Sequence, residues 1–350
     1  MSRNPISRVR AKGDAFSIGF ALGQASASGF RERVLVTERY RALDARWRGS
    51  DYLKTLELAA RAAYPRFVRE MEGMAEGAGQ DFEAIFLWNC RADLQLPDDV
   101  SSATKAVAAL GCTSILIPAE GDGPAIIAHN EDHPVGFLGA CLWVDVEPDE
   151  GPAWSGCMTA GTLALDTFGL NEAGLVQTGN DITAHDLQPG VPRPIITRAI
   201  LSARGLDEAI EILKRKDRAS GCHHNLGEAK TRRLVSVEAP ASGCAVREAA
   251  SPRAHANHMV FREFEGLEQT ISPDSCIRQE TADRMIAEGA LAGGPEAVLF
   301  DETAPIYKYG SDYSETLATS VFALFPDCVE WRVHVSPDER DTLSGTMRVV

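Results

Sequence analysis

The order of segments along this 350-residue chain predicts an α+β protein: two stacked β-sheets flanked by helices, preceded by an N-terminal helical segment. Helical periodicity fills the stretch before residue 97. Runs of β-forming residues then alternate with further helices towards the C-terminal end. The sequence carries no internal repeat and no low-complexity tract.

Residues 13–50 read as a helix in which Gly19, Ala21, Gly23 and Ala25 put small residues on one face, a composition suited to close packing. Over 51–78, Leu53, Leu56, Ala60, Tyr64, Phe67, Met71 and Met74 recur every three or four positions, the period of an amphipathic helix. Asp81 is placed to cap a helix reaching Leu96, without a capping box because Ala84 holds the third helical position. Residues 97–105 form a polar loop. Strands are expected at 140–146, 154–158, 163–170 and 174–182, with a turn at 171–174. A Pro/Gly-rich loop at 189–194 leads into helices over 195–203 and 206–214, with Asp207 near the start of the second. Alternation at 223–227, 232–238, 244–248 and 254–260 predicts a second sheet. A helix over 276–288 stops at Gly289, and 318–325 with 329–334 complete the sheet portion behind a loop at 310–314.

A hydrophobic fraction of 44% is enough for a large core, and a formal charge of −15 repels phosphate backbones and anionic headgroups, so neither nucleic acid nor membrane is an expected partner. The longest apolar run, around 107–118, falls far short of the about 18 residues a membrane span needs. Arg3, Arg8, Arg10 and Lys12 before the apolar run 15–22 and Ala25-Ser26-Ala27 imitate a secretory leader, but Gly19 interrupts the run and Gly23 follows it, and a cytoplasmic location is expected. The eight cysteines include no C-x-x-C pair and no cluster, which fits neither a zinc ribbon nor a compact disulfide framework. His223 and His224 would point to opposite faces of a strand, and His129, Asp132 and His133 lack a helical H-E-x-x-H context, so no metal and no organic cofactor are expected.

The chemistry concentrates at Gly111-Cys112-Thr113-Ser114 and, after a turn at 120–123, at His129-Asn130-Glu131-Asp132. A hairpin here carries Cys112 and Asp132 on neighbouring strands, so that a nucleophile and a carboxylate come close. Gly111 has no Cβ and leaves its carbonyl open to the Cys112 thiol, which suggests self-cleavage between the two. Cleavage would divide the chain into a helical α fragment, 1–111, and a catalytic β fragment, 112–350. As the first residue of a fragment, Cys112 would hold a thiol of reference pKa about 8.5 beside its own α-amino group of about 7.7–8.0, nucleophile and base in one residue.

These motifs, together with Gly13 to Gly23, Asn89-Cys90-Arg91, Asn171-Glu172-Ala173-Gly174 and His255-Ala256-Asn257-His258, resemble the autoproteolytic N-terminal-nucleophile acyltransferases and hydrolases that include isopenicillin N acyltransferase. The resemblance implies the αββα sandwich of that family and the catalytic set Cys112, Asp132 and Asn257. Asp132 would orient the terminal ammonium, and Asn257 would donate to the oxyanion of the tetrahedral intermediate. Asn180, Glu131, Thr113 and Ser320 are candidate oxyanion or substrate contacts. The sequence departs from the penicillin-pathway enzyme at 314–320, where Glu315 and Thr316 leave no arginine and a cationic contact is missing. Asn130-Glu131-Asp132 is closer to relatives that hydrolyse small N-acyl amines, and Glu131 would favour a cationic substrate. The expected activity is hydrolysis of a small N-acylated amine or amino acid through an acyl-thioester, with both fragments held together and homo-oligomers left open. The alternatives are acyl transfer from a thioester donor to an amine, and a binding protein that keeps the fold without turnover.

Overall fold

The computed structural model of the protein describes residues 6–94, 111–163, 167–304, 306–310, 314–337 and 342–350; the loop expected at 97–105 lies outside them. Among the described residues no helix is long and apolar enough to cross a membrane.

Side-chain caps delimit the N-terminal helices. The Asp14 carboxylate accepts from the Ser17 N–H and starts α1 (Ala15–Gly29), and Thr37, Ser50 and Asp81 start α2 (Glu38–Trp47), α3 (Asp51–Ala63) and α5 (Phe82–Asn89) in the same way. Each cap satisfies an N–H that the helix itself leaves without a partner. The helix expected over 13–50 is interrupted by a π-turn at Phe30–Val34 ahead of the Thr37 cap. The one expected over 51–78 breaks at Tyr64, because Pro65 opens α4 (Pro65–Ala78) and has no N–H with which to continue α3.

Helices α1 and α4 touch backbone to backbone. A Cβ on Gly19 or Gly23 would overlap the carbonyl of Glu70 or Met74, and a Cβ on Gly73 or Gly77 would overlap that of Phe16 or Phe20. The small-residue face legible in the sequence is therefore a reciprocal glycine contact, with two glycines from each helix.

The first sheet runs in the order β1 (Ser7–Gly13), β4 (Cys141–Pro148), β5 (Trp154–Thr159), β6 (Phe168–Asn171), β7 (Leu175–Asp181), β9 (Cys222–Glu228), β10 (Arg233–Ala239), β11 (Ala245–Glu248), and only its β1–β4 pair is parallel. The second runs β12 (Arg253–His255), β2 (Thr113–Ile117), β3 (Ala125–Pro134), β14 (Ser314–Phe325), β15 (Cys328–His334), β16 (Thr342–Arg348). Two short strands, β8 (Thr183–Ala184) and β13 (Gln269–Thr270), pair apart from both sheets. The strands at 222–248 thus extend the first sheet through the β7–β9 pair instead of forming a second one. The second sheet is built on the Cys112 hairpin. Alternation reveals which face of a strand is apolar but not which sheet the strand joins. The N-terminal segment expected to be helical also contributes a strand, since β1 belongs to the first sheet.

The sheets pack face to face: Trp143 stacks on Trp331 at 4.1 Å between ring centroids, and Phe168 meets Phe322 edge-on at 6.2 Å. Helix α1 lies on β1 and β4, α7 (Leu206–Leu213) lies on β9, and α6 (Arg193–Ile200) bridges to α4. On the far side α8 (Pro273–Ala287) and α9 (Glu296–Leu299) place Ala282, Val298 and Leu299 over Ile115, Ala128, Ala254 and Val321. The result is the α+β sandwich of two sheets between helical layers that the sequence predicts.

Gly23→Ala should cost about 1–3 kcal/mol or more, because neither backbone can retreat without opening the α1–α4 contact. Gly136→Ala, where a Cβ meets nothing within 4 Å, serves as the control. Urea unfolding of both variants measures the difference, and equal midpoints would mean that the helices slide apart freely.

Candidate active site

Strands β2 and β3 form the expected hairpin, with Thr113 opposite Asn130 and Ser114 opposite His129. Successive side chains on a strand point to opposite faces. Cys112, Ser114, His129 and Glu131 therefore share the face turned into the sandwich, while Thr113, Asn130 and Asp132 share the face turned towards α8 and α9. The carboxylate that meets the thiol is consequently that of Glu131: the Cys112 S–H donates to its Oε2 at 3.4 Å. Glu131 Oε2 also lies 3.2 Å from His129 Nε2, and its Oε1 lies 2.8 Å from His133 Nε2. Burial pushes Glu131 up, but the hydrogen bonds from His129 and His133 overcome it and hold the carboxyl below the usual glutamate range. Burial, followed by the charges of Glu131, Asp132 and Asp181, pushes the Cys112 thiol far up. A Glu131 this enclosed and this well partnered is poorly placed to attract a cationic substrate.

Asp132 sits on the other face. Thr316 donates to its Oδ1 at 2.7 Å, and Lys308 Nζ approaches Oδ2 at 3.5 Å. A β-bulge between Thr316 and Ala318 interrupts the β3–β14 register beside this contact. Oδ2 is buried and has no hydrogen-bond partner among the described residues. Burial raises the Asp132 pKa against the pull of Lys308, Arg278 and the Thr316 hydroxyl.

Arg278, on α8, went unnoticed in the sequence and organises the junction. Its guanidinium has no exposed surface. It donates to the Cys112 carbonyl (2.6 Å), Thr113 Oγ1 (2.9 Å), Asn257 Oδ1 (2.8 Å) and Asp274 Oδ2 (2.8 Å). Lys308 Nζ completes a second cation here at 3.0 Å from Asp274. Two cations thus reach this junction from outside 314–320, Arg278 from α8 and Lys308 from the segment before β14. An arginine four residues after an aspartate on a helix reads as an ordinary surface pair, so only tertiary packing distinguishes Arg278.

Asn257 lies against Gly111. A Cβ at 111 would overlap the Asn257 amide and crowd the Arg278 guanidinium, so a side chain here would have to displace both. Asn257 Nδ2 donates to the Asp181 carbonyl at 3.1 Å. Gly111, Cys112, Glu131, Asp132, His133 and Asp181 line one cavity of about 50 Å³, together with Arg39 and Arg91.

The remaining sequence candidates divide. Thr113 is held by Arg278. Asn180 is turned to the interior, where its Oδ1 accepts from Ser114 Oγ at 2.7 Å and its Nδ2 donates to the His255 carbonyl at 3.1 Å, so its amide is occupied away from the junction. Ser320 is opposite His129 on β14, buried, and its hydroxyl has no hydrogen-bond partner among the described residues. His223 stacks on His255 at 3.4 Å and meets Ser236, which commits it to the core.

The donor atoms of Cys112, His129 and Glu131 lie within 4.8 Å of one another because the thiol and the imidazole both meet the same oxygen, Glu131 Oε2, so the closeness is that of a hydrogen-bonded set. The His129, Asp132 and His133 weighed in the sequence do not come together, because Asp132 faces away from His129.

Compared with known proteins, the chain matches the family described as acyl-coenzyme A:6-aminopenicillanic acid acyl-transferase over residues 119–336, well over half of its length and beginning just beyond Cys112. Among solved structures it is similar to penicillin V acylase from Agrobacterium tumefaciens, at 13% identity over 65% of this chain and 83% of that one, with a TM-score of 0.38. No curated protein matches.

Arg278→Leu should lower the unfolding free energy by about 2–5 kcal/mol, since it leaves the Cys112 carbonyl and Asn257 Oδ1 buried without this donor, while Asp274 keeps its contact with Lys308. Chemical denaturation reads this directly. A loss under about 1 kcal/mol would show that water replaces the guanidinium.

Proposed function

The chain belongs to the acyl-coenzyme A:6-aminopenicillanic acid acyl-transferase family, and from that membership we propose a self-processing cysteine amidohydrolase with Cys112 as nucleophile. The thiol attacks the Gly111 carbonyl, water opens the resulting thioester, and the freed Cys112 cleaves the amide bond of a small N-acylated amine or amino acid through an acyl-thioester.

The observation that carries this reading is the packing of the Gly111–Cys112 junction, with the Asn257 amide against Gly111 and the Arg278 guanidinium on the Cys112 carbonyl. A buried strand cysteine with a purely structural role requires neither. Asp132 fits the same scheme. Its Oδ2 is buried, makes no hydrogen bond among the described residues and has only the Lys308 ammonium at 3.5 Å, so it retains capacity to accept from the ammonium created at Cys112 by cleavage. In its neutral form that amine, with a reference pKa of about 7.7–8.0, accepts the thiol proton near neutral pH. Asn257 Nδ2 rests on the Asp181 carbonyl in the intact chain and is the donor available to an oxyanion. Gly111 forms part of the wall of the cavity of about 50 Å³, so departure of that chain end would enlarge it at the thiol.

A second reading, acyl transfer to an amine, is favoured by the family's description as an acyl-transferase. It uses the same acyl-thioester with an amine in place of water. Dependence of product formation on an acyl-CoA donor separates the two.

Intact mass under denaturing conditions should give two fragments meeting at Gly111–Cys112, and only full-length chain for Cys112→Ala. Asn257→Ala should lower the turnover rate on a panel of N-acyl amines by on the order of 100-fold. A wild-type chain that stays whole would move the protein towards the binding role.

A further inference from the structure

Self-cleavage has a requirement that turnover does not. In the intact chain the nitrogen of Cys112 is an amide and cannot accept a proton, so the α-amino group that serves the mature enzyme does not yet exist. The thiol itself is pushed up by burial and by three carboxylates. Some other group must take its proton.

We propose that Glu131, with His129 behind it, is the proton acceptor for the first step of self-cleavage; this rests on the self-processing reading above. The contact is direct, with the thiol donating to Glu131 Oε2 at 3.4 Å. The proton on His129 Nδ1 follows from its neighbours. Asn180 Nδ2 donates to the His255 carbonyl, which leaves Asn180 Oδ1 as the acceptor of the Ser114 hydroxyl. The hydroxyl having been donated there, Ser114 Oγ accepts from His129 Nδ1–H at 2.8 Å. His129 Nε2 is the ring atom that then faces Glu131 Oε2, at 3.2 Å, so the imidazole adjoins the carboxylate oxygen that meets the thiol.

The charge balance favours this route. Releasing the thiol proton to solvent would add an anion to a buried site already beside Glu131, Asp132 and Asp181. Passing it to Glu131 replaces one anion by another and removes the nearest negative charge as the thiolate forms. The Cys112 sulfur then bonds to the Gly111 carbonyl carbon, the C–N bond breaks, and the proton held by Glu131 passes to the departing Cys112 nitrogen. This leaves a thioester and a neutral amine. Water opens the thioester to a Gly111 carboxylic acid and restores the thiol. The hydrogen bonds that keep Glu131 low make it a weak base, which suits an event needed once per chain better than repeated turnover.

The test follows cleavage of cell-free-translated wild type, Glu131→Gln, Glu131→Asp and Cys112→Ala by timed intact mass across pH, with and without hydroxylamine, which opens thioesters. The groups facing Glu131 during this titration are Cys112 just before β2, His129 and His133 on its own strand, Cys141 on β4 and Asp181 on β7, with Arg39 and Arg91 on the cavity wall. Glu131→Gln should cleave about 100-fold more slowly or less, with a rate rising about tenfold per pH unit as hydroxide takes over, and hydroxylamine should not rescue it because thioester formation is limiting. Glu131→Asp, which keeps the charge but withdraws it from the thiol, should fall between and carries the test should the Gln variant not fold. Wild-type rates in both variants, or rescue by hydroxylamine, overturn the proposal while leaving self-processing intact. An uncleaved wild type overturns both.

Discussion

A guanidinium without exposed surface governs the arrangement of this molecule's centre. Burying the Arg278 charge is costly unless its donors are used, and four hydrogen bonds hold it, to the Cys112 carbonyl, Thr113, Asn257 and Asp274. Those acceptors come from β2, from the segment after β12 and from α8 itself, so one side chain sets the spacing between a sheet and the helix packed on it. Gly111 falls within this constraint. The Asn257 amide held by Arg278 occupies the space a side chain at 111 would need.

The hairpin supplies the second constraint, the alternation of faces along β3. His129, Glu131 and His133 fall on one side and Asn130 and Asp132 on the other, which divides two adjacent acids between two environments. Glu131 is enclosed with the thiol and two imidazoles. Asp132 shares its side with Lys308, Thr316 and Asn130, whose amide donates to the Leu299 and Ile306 carbonyls. Burial is the largest single influence on both acids; at Asp132 it prevails and raises the pKa, whereas at Glu131 the hydrogen bonds and charges of His129 and His133 together outweigh it and lower the pKa.

Much of this was legible in the residues. The turn at 120–123, the Asp81 cap and the glycines of α1 follow from local chemistry that the sequence states outright. Asp132 was singled out, yet which acid meets Cys112 depends on a single step of strand phase, and a hairpin inferred from composition leaves that phase open. Arg278 and Lys308 were not legible, because their partners lie far away in the chain and nothing local marks them. The assignment of β9 to β11 to the first sheet was hidden for the same reason. It depends on how α6 and α7 return the chain, and β1 and β16 take their meaning only from the neighbours they pair with.

The same packing bears on what happens to the N-terminal piece after a cut. Strand β1 pairs along its length with β4, Asn89 bonds across to the Gly161 carbonyl and the Leu163 N–H, and Asp93 accepts from the Arg193 N–H and Ser220. None of these contacts passes through the Gly111–Cys112 bond, so breaking it would remove one covalent link and leave the interface whole. The change would be confined to the junction, where an amide nitrogen becomes an amine and a wall of the cavity is freed. A latent thiol, held protonated by burial and by neighbouring acids, would then acquire its own base without any rearrangement of the fold.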